Sequence, residues 1–85
     1  MSRLIPAAER IQRARALIQK ARDLPVPVIL GRNDFSYIAQ VKAYLQDARD
    51  LVKFIPYSVT ATDEMKEDVK KIFAEADQAN QEILH

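Results

Sequence analysis

The chain has 85 residues, of which 48% are hydrophobic and 29% charged, with one glycine and no cysteine. This length suffices for one domain with a single modest core, and the composition is typical of a helical globular protein. The absence of cysteine excludes disulfides and thiolate metal sites. The first residues lack the apolar run of a secretory signal, and the most apolar stretch, residues 26–30, is too short to span a membrane. We therefore expect a single-domain, all-α, cytoplasmic protein with no membrane segment.

The net charge of +1 conceals an uneven distribution of charge along the chain. Residues 1–32 contain seven basic and two acidic residues, whereas residues 60–85 contain three basic and seven acidic residues. The basic segment includes Arg3, near the start of the chain. Because opposite charges attract, we expect the first and last helices to pair through their side chains.

The first predicted helix covers residues 6–23. Pro6 suits the first turn of a helix, where its missing N–H would have no partner in any case. Apolar residues recur at spacings of three and four from Ala7 to Ala21, which is the period of an amphipathic helix. Pro25 disfavours the helical conformation for the residue before it, so the helix is expected to end near residue 23.

Residues 24–33 form the longest irregular segment of the chain, Leu-Pro-Val-Pro-Val-Ile-Leu-Gly-Arg-Asn. Its two prolines favour an extended path, Gly31 permits a turn, and Asn33 or Asp34 can cap the next helix. The segment is too apolar for a linker that is simply solvated, so we interpret it as part of an interface. Its candidate interface residues are Val26, Val28, Ile29 and Leu30.

The second predicted helix covers residues 34–54 and has the clearest periodicity. Apolar residues from Ile38 to Ile55 step by three and four, and Pro56 ends the helix near Phe54. A second apolar row, at intervals of seven, flanks this stripe and completes the candidate interface. Its members are Tyr37, Tyr44 and Leu51.

The third predicted helix covers residues 61–84. Thr60, followed three residues later by Asp63, resembles a capping box, and acidic residues crowd the first turns, where the helix dipole favours negative charge. Apolar residues from Met65 to Ile83 again step by four and three. This shared pattern favours a three-helix bundle with shallow crossing angles. The short second connection predicts that the last two helices form an antiparallel hairpin.

Few residues are of the types that carry enzymatic chemistry. The only histidine is His85, no cysteine nucleophile exists, and a single glycine cannot build a phosphate-binding loop. The acidic residues 63–68 lack the histidine partners that di-metal carboxylate bundles use. We therefore predict a non-enzymatic protein with no catalytic residue, no metal site and no cofactor.

Three binding functions are open to such a chain. Leftover apolar surface in a small protein commonly becomes an oligomer interface, so we expect a protein–protein interaction or self-assembly module. Its partner would be a second copy, for example in a homodimer, or another protein. A nucleic-acid-binding accessory protein is the alternative, with Arg13 and Lys20 as contacts, although residues 1–32 contain no aromatic residue to stack on bases. A small-molecule-binding bundle is the third interpretation. Its pocket residues would be Tyr37, Tyr44 and Tyr57.

Overall fold

A computed structural model describes residues 5–84 and shows three α-helices joined by two short connections. Arg3 and His85 lie outside the described residues. All three pairs of helices are in contact, so the predicted three-helix bundle is confirmed. The helices are α1 at Ala7–Asp23, α2 at Phe35–Val52 and α3 at Asp63–Leu84.

Each connection contains a short 3₁₀ helix, Gly31–Asn33 in the first and Ile55–Tyr57 in the second. The first connection is extended only through Pro27, because residues 28–30 turn and lead into the 3₁₀ helix. Gly31 has φ +57°, in the left-handed region that glycine adopts without steric cost. Within residues 5–84, no helix has the length and hydropathy needed to cross a membrane.

The core lies where the apolar stripes of the three helices meet. Leu45, in the middle of α2, is its largest fully buried side chain and is 1% exposed. Between residues 5 and 84, five of the fifteen buried residues are alanines, so the core holds less apolar volume than its residue number suggests. The buried residues are Ile11, Ala14, Ile18, Ala21, Tyr37, Val41, Leu45, Ala48, Val52, Ile55, Val69, Ile72, Ala76, Ala79 and Ile83.

At the N-terminus of α2, the buried side chain is not the predicted one, because the predicted apolar stripe begins at Ile38. Tyr37 is buried, whereas Ile38 remains partly exposed. The Asp34 carboxylate caps the helix by accepting a hydrogen bond from the Tyr37 backbone N–H at 3.0 Å. Residue 37 lies four positions before Val41 and therefore shares its face, so the stripe continues through the tyrosine.

The N-terminus of α3 also corrects the prediction. The cap is Thr62, whose Oγ1 accepts a hydrogen bond from the Met65 backbone N–H at 3.1 Å. Thr60 instead lies 2.9 Å from the Ser58 hydroxyl, Oγ to Oγ1, within the preceding turn. The proposed capping box at Thr60 and Asp63 is therefore wrong, because the turn at residues 58–60 delays the helix by two residues.

Ion pairs between α1 and α3 confirm the expected attraction between the basic and acidic segments. Arg15 lies 3.3 Å from Asp68, and Arg22 donates a hydrogen bond to Glu82. Residue numbers rise together along both helices in these pairs, so α1 and α3 run parallel and α2 runs antiparallel to them. These side chains are partly exposed, so the pairs contribute little to stability.

Candidate interaction surfaces

The first connection carries the most exposed apolar side chains of the sequence-predicted interface. Val28 is 100% exposed and Ile29 is 92% exposed, while about half of each of the Val26 and Leu30 side chains is in contact with water. The extended segment and the following turn hold these side chains away from the bundle. Phe35, the first residue of α2, is also exposed and follows Leu30 by five positions in the chain. We call these five residues the connection surface: Val26, Val28, Ile29, Leu30 and Phe35.

The other predicted interface residues lie along the line where α1 meets α2. Tyr44 and Leu51 are half-buried and pack against the edge of the core. Tyr37 lies inside the core and is 6% exposed, so it offers little surface to a partner. On α1, Leu17 is also half-buried and packs on the same core. We call Leu17, Tyr44 and Leu51 the α1–α2 seam.

Two shallow grooves border Leu51 on this seam. One has a volume of about 310 Å³ and lies over Leu17. The other has a volume of about 480 Å³ and lies towards the second connection. The first is lined by Arg13, Ala16, Leu17, Lys20 and Leu51, and the second by Ile5, Arg10, Asp47, Asp50 and Leu51.

The charges beside the seam are divided between the two helices. The cations Arg10, Arg13 and Lys20 belong to α1, and the carboxylates Asp47 and Asp50 belong to α2. Hydrogen bonds from the Gln46 amide and the Lys53 ammonium hold the pKa of Asp50 below its ordinary value. The α2 edge is therefore negatively charged at neutral pH.

The two residues proposed to contact nucleic acid are exposed on the outer side of α1. The Arg13 guanidinium pairs with Glu9 at 3.1 Å, whereas Lys20 takes part in no ion pair within residues 5–84. Arg15 and Arg22 are engaged by carboxylates of α3. Three of the six described basic residues in the segment 1–32 are thus paired within the fold, and nucleic-acid binding through Arg13 and Lys20 stays a prediction.

The three tyrosines proposed to line a small-molecule pocket are not brought together. Tyr37 is buried near the start of α2, and Tyr57 is exposed beyond its end. The 18 residues of α2 span about 27 Å at 1.5 Å per residue, so these two side chains lie at opposite ends of the bundle. No single site can include all three.

The second connection has exposed apolar residues that the sequence analysis did not assign to an interface. Phe54, Tyr57 and Val59 are each more than half exposed, and the Lys53 ammonium lies 5.1 Å from the centre of the Phe54 ring. They lie on either side of Pro56, where the helical period stops, so periodicity carries no information about their exposure. Phe35 was missed because it stands next to the cap, outside both apolar rows of α2.

The protein has no match among the known families, curated proteins or solved structures with which it was compared. The side chains of the chain itself are therefore the basis for any functional assignment. Between residues 5 and 84, no group of three histidine, cysteine, aspartate or glutamate side chains is arranged to hold a metal ion. What these surfaces offer is apolar contact area with charged edges, which is the chemistry of protein–protein recognition.

Proposed function

We propose that this chain is a non-enzymatic protein–protein interaction module that self-associates. The observation that carries the proposal is the connection surface, where five large apolar side chains stand in water within ten residues of chain. Single exposed apolar residues are ordinary on protein surfaces, but several exposed large apolar residues within one short segment are more typical of an interaction site. A second copy is the simplest partner, because oligomers of small proteins are commonly symmetric assemblies of one chain.

The connection surface is large enough to drive association. Full burial of a Val, Leu, Ile or Phe side chain is worth about 1.5–3 kcal/mol. Two of the five side chains are already half-buried, so each copy supplies roughly 6–12 kcal/mol, and a symmetric pair that buries both surfaces gains about twice that. The cost of association is roughly 4–15 kcal/mol. The gain is therefore comparable to the cost or larger than it.

Sedimentation equilibrium tests the proposal directly. The wild-type mass should rise above 9.7 kDa with concentration, over a range of roughly 1–200 µM. The double variant Val28→Ser/Ile29→Ser should stay monomeric over the same range, because it removes the two most exposed side chains of the connection surface.

The second connection supplies the matched control. Tyr57→Ser/Val59→Ser also replaces two highly exposed side chains, yet it leaves the connection surface intact and should associate like the wild type. Circular dichroism verifies that all three proteins are equally helical. Equal loss of association in both double variants, or a wild-type mass of 9.7 kDa at every concentration, would refute the proposal.

A further inference from the structure

We infer that the self-associated form is a two-fold dimer in which the α1–α2 seams of two copies pack face to face. In this dimer, α1 of each copy lies over α2 of the other, and both first connections are at the same end. This inference rests on the proposed self-association and adds its orientation.

The α1–α2 seam lies on the side of the bundle that α3 does not cover. On α1, Arg15 pairs with α3, and Leu17 follows it by two residues. On α2, Arg49 pairs with α3 at 2.6 Å, and Leu51 follows it by two residues. Two residues correspond to about 200° around a helix, so both leucines lie almost opposite the α3 contacts. Neither groove beside Leu51 is lined by a residue of α3.

The charges beside the seam are complementary to those of a second copy. Arg10 and Lys20 on α1, and Asp47 on α2, have no ion-pair partner in the described part of the chain. Arg13 and Asp50 pair only with near neighbours, Glu9 and Lys53. The α1 edge is therefore net positive and the α2 edge net negative. If a second copy places its negative α2 edge against the positive α1 edge of the first copy, and its α1 edge against the α2 edge, both edges meet opposite charge.

These charges distinguish two ways of stacking the seams. With the two-fold axis perpendicular to the helices, α1 lies on α1 and the cations Arg10, Arg13 and Lys20 oppose one another. With the axis parallel to the helices, α1 lies on α2 and opposite charges meet twice. Juxtaposed like charges oppose association, so the parallel axis is favoured. It also places both connection surfaces at one end, where they can contact each other.

The area of the two-helix face agrees with a weak dimer. The face is about 27 Å long and about 20 Å wide, taking two adjacent helices at their usual spacing. It buries about 500 Å² per copy, below the roughly 800 Å² of a standard stable interface. The connection surfaces enlarge this contact, so the dimer is expected in the micromolar range.

Charge exchange tests the orientation. The acidic variant Arg13→Glu/Lys20→Glu and the basic variant Asp47→Lys/Asp50→Lys should each dimerise at least about tenfold more weakly than the wild type. A one-to-one mixture of the two should recover the wild-type dissociation constant, because each α1 edge then meets an α2 edge of opposite charge. Recovery in the mixture also shows that both variants are folded.

A matched control changes the same amount of charge elsewhere. Lys42 and Lys71 are exposed and take part in no ion pair within residues 5–84. The variant Lys42→Glu/Lys71→Glu should dimerise like the wild type. If the wild type associates but the acidic and basic variants match this control, or if the mixture fails to recover, the inferred orientation is overturned while the proposed function stands. A wild type that never associates overturns both.

A distance measurement gives an independent reading of the same orientation. The chain contains no cysteine, so Val59→Cys carries a single spin label on the second connection. In the inferred dimer the two labels are at the same end, about 20–30 Å apart, two helix diameters. In the perpendicular stacking they are at opposite ends, at a distance near the 48 Å length of the bundle. The longer distance would contradict the inference.

Discussion

The two connections of this bundle are similar in composition but differ in what they bury. Each contains proline and several large apolar residues, and each ends at a side-chain cap on the next helix. The second connection, residues 53–62, places Ile55 in the core at 4% exposure, and its 3₁₀ helix packs on α3. The first connection, residues 24–34, contributes no buried side chain.

Because of this difference, exposed apolar residues in the first connection and in the second connection have different explanations. Around Ile55, the exposed Phe54 and Tyr57 stand beside an anchor that already fixes the path of the chain. In the first connection, only Leu24 packs on the core, and none of the apolar residues after it does. A function outside the fold therefore accounts best for the first connection.

Truncation of one isoleucine in each connection should give the largest difference between the connections in the free energy of unfolding. Ile55→Ala removes a buried side chain and should lower the free energy of unfolding by about 2–4 kcal/mol. Ile29→Ala changes a side chain that is 92% exposed and should alter it by less than about 0.5 kcal/mol. Urea unfolding at low micromolar concentration, where the monomer prevails, measures both. Comparable losses would show that the first connection also supports the fold.

The two connections should be alike in how much their helix caps contribute to stability. Asp34→Ala and Thr62→Ala each remove one hydrogen bond to a backbone N–H, at 3.0 and 3.1 Å. Each should cost about 1 kcal/mol, whereas Asp34→Asn and Thr62→Ser keep an oxygen in place and should cost little. Urea unfolding of the four variants checks this. A clearly larger cost at one cap would mean that the connections differ in more than their apolar anchor.

The smallest expected effects on stability come from two carboxyl groups that titrate in acid, one near each connection of the bundle. The Arg22 guanidinium, and then the Gln78 amide, hold the pKa of Glu82 below its ordinary value of 4.5. A depressed folded pKa contributes stability above the unfolded value, and this contribution is lost as the pH falls through the folded pKa. Asp50 behaves likewise near the second connection, through Gln46 and Lys53, from an ordinary value of 3.8.

Glu82→Gln should therefore lower the urea midpoint slightly at about pH 6, and this difference should become smaller as the pH falls into the acid range. Asp50→Asn should show the same pattern. Both changes are small because these groups are solvent-exposed. A difference that persists unchanged in acid would show that the side chains act through packing rather than through charge.

Hydrophobic period and charge were sufficient to predict most of the fold. The spacing of three and four located all three helices to within two residues at each end and identified nearly every buried residue. The opposite charges of the first and last helices predicted ion pairs such as Arg15–Asp68. The apolar spacing and the charge distribution are both readable from the sequence because each depends on one type of residue recurring along a single helix.

Features that depend on local geometry or on two elements together were not predictable. Tyr37 and Ile38 are both compatible with the apolar stripe, and only the start of the helix decides between them. Thr60 and Thr62 are both plausible caps, and the turn at residues 58–60 selects the later one. The charged edges of the α1–α2 seam arise only when Lys20 and Asp47 are placed on neighbouring helices, which no single-helix pattern shows.

Self-association of this chain is measured most directly by its mass in solution. Sedimentation equilibrium of the wild-type protein should give a weight-average mass that rises from 9.7 kDa towards twice that value as concentration increases through the micromolar range. A mass of 9.7 kDa throughout would contradict the account.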